Sequence, residues 1–224
     1  KQAEELAGRM HLSAEDNDLA RLIALLHDIG RFEQLKRYDS FEPGTMDHAA
    51  YGVKVLFDEG MIRRFLPDDK WDSIIYTAIA HHSDYELPEI SDPQTLLHAK
   101  LIRDEDKLDN CRVKLVDSTS TFINVSEEEL GTQNITQKVY ETVFENKCIL
   151  SADRVTQMDY WVSYIVYFFD INFKESFDII AENDYLNRII DRISYSNPVT
   201  KEQMENIRVY MQNFINSHTN SQSF

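Results

Sequence analysis

Apolar residues recur mostly at intervals of three and four along this chain, and residues that interrupt helices are scarce. The 224 residues include only 6 Gly and 5 Pro, and no Asn-Gly or Asp-Gly pair marks a β-hairpin. This pattern predicts helices whose apolar faces pack together, because side chains return to one helix face about every 3.6 residues. We therefore predict an all-α protein that is long enough to bury a sizeable core.

Capping signals and helix breakers divide the first half into predicted helices. Ser13 with Asp16 resembles a capping box, Asp47 is a predicted N-cap, and Asp92 precedes a proline at a first helical position. The predicted helices cover residues 2–10, 13–28, 47–56, from 68 or 69 to the histidines at 81 and 82, and 93–108. Residues 31–46 are predicted to form a polar loop.

The second half of the chain gives a weaker pattern. It predicts a short extended piece over 119–125, helices over 135–146, 158–170, 174–193 with a break, and 201–215, and a disordered tail over 218–224. The strongly aromatic segment 158–169 is predicted to be a core helix. A wall of a substrate pocket and a dimer face are the alternatives for this segment.

The acidic composition limits the expected partners. With 23 Lys and Arg against 39 Asp and Glu, the formal net charge is −16, which repels nucleic-acid backbones and anionic membranes. We therefore expect neither a polymeric nucleic acid nor a membrane as a partner, and no run approaches the roughly 18 apolar residues of a membrane span. A small phosphorylated substrate is compatible, since metal ions in a cleft reverse the local field.

The cysteines and the first residues bear on location. Cys111 and Cys148 show neither the spacing of a thiolate metal site nor a disulfide framework. The first residues do not resemble a secretory signal, so we predict a reducing, cytoplasmic location. Because the chain begins at Lys1 and not at Met, we expect a trimmed or incomplete version of the natural protein.

Two adjacent pairs of ionisable residues each follow an apolar run. His27-Asp28 follows residues 22–26, and His81-His82 follows a second run. Residues 22–26 are apolar in nearly every direction around a helix, which predicts burial on most sides. A buried imidazole beside a carboxylate is costly unless both are satisfied, and a divalent cation satisfies both. The two pairs are therefore candidate metal ligands.

His48 and Asp106 extend this set to further predicted helices. His48 lies at a predicted helix start, and Asp106 lies on the last helix of the first half. Ile102, Asp106 and Asp109 are spaced i, i+4 and i+7, so they share one stripe of that helix. A lone histidine near a helix end is more often a hydrogen-bonded structural residue, but the ordered combination favours a metal site.

The order of these residues resembles the HD-domain superfamily of metal-dependent phosphohydrolases over residues 3–110. The shared pattern is His-Asp, then His, then His-His, then Asp in an Asp-Lys-Leu-Asp setting. The resemblance implies one all-α domain, with residues 1–112 as an HD-type metal-binding core and residues 113–224 as a helical extension packing on it. The ligands it implies are His27, Asp28 and Asp106 for one metal, and His48 with one or both of His81 and His82 for a second.

One histidine of the family pattern has no counterpart in this sequence. The family has a further histidine one helix upstream of the His-Asp pair. His11 lies in the predicted turn before Ser13, where a surface loop residue is expected. We therefore expect the missing ligand to precede Lys1.

The chemistry expected at such a site follows from metal electrostatics. Two divalent ions about 3.5–4 Å apart lower the pKa of a shared water, giving a hydroxide that attacks phosphorus in line. Arg31 and Lys107 are the candidate cations for the developing charge, with a surface ion pair as the alternative for each. Asp109 is predicted to orient a ligand histidine, and Asp84 is either a proton donor or an exposed loop acid.

Three functions stay open. The favoured one is a metal-dependent phosphohydrolase acting on a small phosphate ester, such as a nucleotide, and the alternatives are an HD-like diiron oxygenase and an inactive HD-type ligand-sensing module. Mixed His and carboxylate ligation does not separate Mn, Fe, Co, Zn, Mg and Ni, or one ion from two. The sequence lacks the Gly-Tyr-Pro triplet of the cyclic-dinucleotide branch and the His-Asp-x-x-Glu-Asp run of the alarmone hydrolases. For a homodimer, the aromatic second half is the candidate face.

Overall fold

The computed structural model describes residues 2–39 and 45–219. Within these ranges the regular structure is helical and no residue lies in a β-strand, which confirms the predicted all-α class. The chain divides into two compact units, Lys1–Asp106 and Lys107–Phe224, called the first and second unit below. Among the helices described, none is both long and apolar enough to cross a membrane.

The first unit carries all the candidate histidine ligands. Its helices are α1 (Gln2–Arg9), α2 (Ala14–Leu26), α3 (Arg31–Tyr38), α4 (His48–Val53), α5 (Asp72–Ala80) and α6 (Pro93–Val116), the last of which continues into the second unit. A π-helical turn (Lys54–Asp58) extends α4, and a 3-10 turn (Met61–Arg64) follows.

Side-chain caps confirm three of the predicted helix starts. The cap oxygens and the N–H groups that they accept from are Ser13 Oγ with Asp16 (3.0 Å), Asp47 Oδ1 with Ala50 (2.9 Å) and Asp92 Oδ2 with Thr95 (2.7 Å). These bonds satisfy N–H groups that have no partner inside the helix. Helix α5 begins later than predicted, at residue 72, and α6 runs on to residue 116.

The core of the first unit places the end of α2 against the start of α4. The core residues are Leu19, Ile23, Leu26, Val53, Leu56, Ile62, Ile74, Ile75, Ala78, Ile79 and Ile102. Gly30 permits a close approach, because a Cβ there would lie 2.0 Å from the carbonyl oxygen of His48. This approach brings the His27-Asp28 pair beside His48.

The predicted polar loop over residues 31–46 is wrong in its first part, where Arg31–Tyr38 form α3. Most side chains of α3 face solvent, so the segment has the polar composition of a loop. An ion pair between Glu33 and Arg37 (2.6 Å), one turn apart, supports the helix. Residues 40–44 lie outside the described part of the chain.

The extended piece predicted over residues 119–125 is also wrong. Thr119–Ile123 form a short helix, α7, and Asn124 ends it with a left-handed φ of 59°. The hydroxyl of Thr119 donates to the carbonyl oxygen of Val125 at 2.8 Å and closes this turn. The segment is too short for its apolar pattern to separate a strand from one helical turn.

The second unit is built around an aromatic helix. After α7 its helices are α8 (Glu127–Thr132), α9 (Gln137–Val143), α10 (Gln157–Val166), α11 (Lys174–Glu182), α12 (Tyr185–Asp191) and α13 (Pro198–Thr219), with 3-10 turns at Ser151–Asp153 and Tyr167–Asp170. Trp161, Val162 and Ile165 of α10 are fully buried, which confirms the prediction of a core helix. Of the predicted disordered tail, residues 218 and 219 belong to α13, and 220–224 lie outside the described residues.

Candidate metal centre

Five predicted metal ligands come together in the first unit. His27 and Asp28 follow α2, His48 opens α4, His82 follows α5, and Asp106 lies on α6. We call these five residues the ligand cluster. Since they come from separate segments, the cluster exists only in the folded unit.

The Asp28 carboxylate lies between the imidazoles of the ligand cluster. Its Oδ1 is 3.3 Å from His48 Nε2 and 3.7 Å from His82 Nε2. Its Oδ2 is 3.7 Å from His27 Nε2, which also lies 3.8 Å from Asp106 Oδ1. Ligand atoms of His27, Asp28 and His82 all fall within 4.8 Å of one another, a spacing compatible with one shared metal ion.

Backbone contacts fix the orientation of two of the imidazoles. His27 Nδ1 lies 2.9 Å from the carbonyl oxygen of Ala24, and His82 Nδ1 lies 2.8 Å from that of Ile79. A carbonyl oxygen only accepts, so in each ring Nδ1 carries the hydrogen. In the neutral ring Nε2 then keeps a lone pair, and in both residues Nε2 faces Asp28. This is the arrangement that a histidine ligand requires.

The donor set fits a divalent cation. His48 Nε2 and His82 Nε2 are 3.0 Å apart, which is about the separation of two nitrogens bound at right angles to one ion at about 2.1 Å. Two lone pairs at this distance repel each other unless a proton or a cation lies between them. The three imidazoles and two carboxylates form the mixed set that suits zinc, iron, manganese or cobalt.

The charges of the ligand cluster shift the pKa values of its members. Burial alone would lower the pKa of His27, but the carboxylates of Asp106 and Asp28 outweigh it and raise the pKa to about 9. Burial would raise the pKa of Asp28, but the contact with His82 and the charge of His27 hold it well below its usual range. Burial lowers the pKa of His48 to about 4. At pH 7 His48 is therefore neutral, whereas His27 holds a proton that a bound metal would displace.

The N-terminal half of the chain matches a known family. The family model of the HD domain matches residues 1–111. This half of the chain is an HD domain. The superfamily consists of metal-dependent phosphohydrolases that bind divalent metals, and the ligand cluster is compatible with such a site. No curated protein and no solved structure matches the chain.

Arg31 of the HD domain lies against the ligand cluster. Its Nε donates to Asp28 Oδ1 at 3.3 Å, and its Nη1 donates to Gln34 Oε1 at 3.0 Å. Gln34 is buried and donates in turn to Thr45 Oγ1 at 2.8 Å. The guanidinium is thus held beside the central carboxylate, a position compatible with the predicted phosphate contact.

The structure does not bring His81 into the ligand cluster. Its Nδ1 lies 2.6 Å from Asp84 Oδ2, and both side chains are partly exposed. The neighbouring histidines diverge because α5 ends at Ala80, after which successive side chains no longer follow the helical rotation. Of the His-His pair, His82 is therefore the one that faces Asp28. Asp84 is an exposed loop acid.

Lys107 and Asp109 are each held in an ion pair within the second unit. Lys107 Nζ lies 2.6 Å from Asp170 Oδ2. Arg112 donates to both oxygens of Asp109, at 2.9 and 3.2 Å. Lys107 thus forms an ion pair, as in the alternative, but its side chain is buried and not at the surface. The roles predicted for both residues at the reaction centre stay predictions.

Several buried polar residues of the HD domain escaped the sequence analysis, and two of them contact residues of the site. Arg103 on α6 is 2% exposed and donates to the backbone of the turn that carries His82. Gln34 is equally buried and holds Arg31. Arg103 lies in a run of charged residues that is typical of a solvated face. The only sequence signal of its burial was its position three residues before Asp106, which places both side chains on the same face of α6.

Proposed function

We propose that the HD domain hydrolyses a phosphate ester of a small molecule, such as a nucleotide. The proposed metal ligands are His27, Asp28, His48, His82 and Asp106. The observation that supports this proposal is the convergence of three imidazole Nε2 atoms on two carboxylates. One or two divalent cations bound there would lower the pKa of a water and polarise the phosphoryl group.

The chain orients these ligands through its own backbone. The carbonyl oxygens of Ala24 and Ile79 hold the rings of His27 and His82, so little side-chain freedom is lost when a cation binds. Asp28 is the residue on which the arrangement depends most. Its two oxygens face histidines from different helices, so the loss of this carboxylate affects both sides of the ligand cluster.

Arg31 is the proposed phosphate-binding residue. A guanidinium has five N–H donors, and the contacts with Asp28 and Gln34 use one on Nε and one on Nη1. Among residues 2–39 and 45–219 no other hydrogen bond engages this guanidinium, so further donors are available there to a phosphoryl oxygen. There the positive charge would offset the negative charge that develops as the ester bond breaks.

The partners and the location that we propose follow from charge and thiol chemistry. The net charge of −16 supports a small substrate over a nucleic-acid polymer or a membrane. Cys111 is buried and Cys148 partly buried, and neither forms a disulfide, which is compatible with the proposed reducing cytoplasm. A homodimer stays a prediction.

The proposal is tested by metal analysis and substrate screening of the same preparation. Protein purified without chelator is analysed for bound metal and then assayed for phosphate release with Mn, Co, Mg and Fe over a panel of nucleotides and other phosphoesters. Asp106→Asn keeps the shape of the side chain but removes its charge. We expect it to lose both the bound metal and the phosphatase activity.

A matched variant of the second unit separates loss of a ligand from loss of a charge. Asp178→Asn makes the same chemical change in an ion pair with Lys174 (2.7 Å) and is expected to keep metal and activity. Full metal content and turnover in Asp106→Asn would contradict the proposal. Oxygen consumption by a bound diiron centre would favour the oxygenase, and ligand binding without turnover would favour the sensing module.

A further inference from the structure

A buried arginine binds the backbone of the turn that follows α5. The guanidinium of Arg103 donates to four carbonyl oxygens, at distances of 3.0 Å (His81), 3.4 Å (His82), 2.6 Å (Asp84) and 3.3 Å (Tyr85). The first three bonds come from Nη1 and the fourth from Nη2. One side chain therefore holds the turn over residues 81–85, called the 81–85 turn below.

The chemistry of this contact suits an arginine better than any other side chain. These carbonyl groups lie beyond Ala80, the last residue of α5, so the hydrogen-bond ladder of the helix does not satisfy them, and they follow the negative end of its dipole. A guanidinium offers a fixed, planar fork of donors and a positive charge, so it satisfies several of these groups together. Because residues 83–86 are exposed, the 81–85 turn is attached to the interior through His82 and Arg103.

Arg103 also connects the 81–85 turn to a second proposed ligand. Arg103 and Asp106 lie three residues apart on α6, so both project from one rigid helix face. Arg103 Nη1 is 3.4 Å from the carbonyl oxygen of His82, whose ring contributes Nε2 to the ligand cluster. The same helix thus carries one ligand, Asp106, and anchors the backbone of another, His82.

We propose that Arg103 is a positioning residue that holds the 81–85 turn where His82 Nε2 faces Asp28 and His48. In this role Arg103 binds backbone oxygens and would contact neither a metal nor a substrate. This role rests on the proposed function, because it has a consequence for metal binding only if His82 is a ligand.

A conservative replacement shows what such a role requires. Lysine keeps the charge of Arg103 but replaces the planar fork by a single ammonium group, which cannot reach carbonyl oxygens spread over five residues. We expect Arg103→Lys to weaken the binding of Co²⁺ by about 10- to 100-fold, the usual effect of losing a group that orients a metal ligand. The visible absorption of bound Co²⁺ is expected to change as well, since it reports the geometry of the ligands.

The second unit offers a matched control. Arg192 also binds backbone carbonyl oxygens, those of Lys114 and Asp117, and it pairs with Glu127 at 2.7 Å. Arg192→Lys is expected to lower the melting temperature, as Arg103→Lys does, while the Co²⁺ affinity and spectrum stay those of the wild type. A purely structural role for Arg103 would make the two variants behave alike.

The experiment titrates Co²⁺ into the metal-free 224-residue chain and follows visible absorption for the wild type and for four variants. These are Arg103→Lys, Arg192→Lys, His82→Ala and the double variant Arg103→Lys with His82→Ala. If Arg103 acts through His82, the double variant binds Co²⁺ within about twofold of His82→Ala alone, because coupled changes do not add. If Arg103→Lys does not fold in buffer, the titration is repeated in trimethylamine N-oxide, which favours the folded state.

The outcomes separate this inference from the proposed function. A wild type that binds no Co²⁺ overturns the proposed metal site and the role of Arg103 with it. A wild type that binds Co²⁺, with affinity and spectrum unchanged in Arg103→Lys, overturns the role of Arg103 alone. The role is also overturned if Arg103→Lys weakens Co²⁺ binding as much in the His82→Ala background as it does in the wild type. Arg103 would then act on the metal without His82.

Discussion

Each end of helix α2 brings an aspartate and a histidine together, but the two carboxylates meet different neighbours. At the start of α2, Asp16 accepts hydrogen bonds from Ser13 Oγ (2.6 Å), Gln94 Nε2 (2.7 Å) and His98 Nε2 (3.2 Å). After the end of α2, Asp28 meets imidazole nitrogens at 3.3–3.7 Å, with one guanidinium contact beside them. Both sites join α2 to later helices of the same unit.

The difference lies in whether the protein itself satisfies the carboxylate. Burial lowers the pKa of His98, and its Nδ1 has no hydrogen-bond partner among the described residues, so the proton of the neutral ring resides on Nε2 and points to Asp16. In His27 and His82 the Nδ1–H group donates to a backbone carbonyl oxygen, and Nε2 faces Asp28. Protein donors thus satisfy the Asp16 carboxylate, whereas the ligand cluster needs a proton or a cation. The comparison separates a structural Asp-His contact from a candidate metal centre.

The largest effect is expected from the replacement of Asp28, the central carboxylate of the ligand cluster. Asp28→Asn should lower the metal-dependent hydrolysis rate by about 1,000-fold, since a bound cation supplies several kcal/mol of transition-state stabilisation. Metal content by mass spectrometry and phosphate release are the measurements. Retention of both by Asp28→Asn would remove the distinction between the two ends of α2.

Most of the ligand cluster could be predicted from the sequence, because the apolar residues that precede the ligands also form the core of the first unit. The His-Asp and His-His pairs follow apolar runs, and such runs end where a buried helix ends, so both pairs were predicted to contribute metal ligands. The choice between His81 and His82 was not predictable, since the helical rotation stops at Ala80. Backbone geometry in a turn decides which ring faces inward.

The parts of the first unit that could not be predicted are those in which polar residues pack inward or helices lie at the surface. Residues 31–46 were interpreted as a loop because the segment is mostly polar, although Phe32, Leu35 and Tyr38 of α3 recur at a helical spacing of three and are exposed. Arg103 lies in a charged run, and its burial depends on carbonyl groups of the 81–85 turn, which is distant along the chain. Contacts of this kind leave no local pattern, because a side chain that binds backbone needs no particular residue type in its partner.

An intermediate effect is expected at Asp16, on stability and not on metal binding. Asp16→Asn removes the charge from Oδ1, which accepts from both Gln94 and His98, and replaces Oδ2, which accepts from Ser13 Oγ, by an amide NH2 group. The expected cost is about 2 kcal/mol in the free energy of unfolding. Urea unfolding measures this loss, and Co²⁺ titration checks that metal affinity stays within about twofold. A large loss of metal affinity would mean that the two ends of α2 are not independent.

The smallest expected effect is the pH dependence of the Asp16 contribution. Hydrogen bonds from Ser13 and then Gln94 lower the pKa of Asp16 in the folded state. Its contribution to stability is therefore complete above the unfolded pKa of about 3.9 and is lost as the pH falls through the folded pKa. Between those values the slope is at most about 1.4 kcal/mol per pH unit.

Asp16→Asn removes this slope, so the difference in unfolding free energy between wild type and variant should shrink as the pH falls below about 4. The lowered pKa of His98 also makes stability fall with decreasing pH, but this loss begins nearer the ordinary pKa of the imidazole, 6.5. The two contributions therefore begin in different pH ranges of a urea series. A difference that stays constant down to about pH 2 would show that Asp16 titrates as it does in the unfolded chain. Its hydrogen bonds would then not distinguish it from an exposed carboxylate, and the contrast with Asp28 would rest on the imidazole orientations alone.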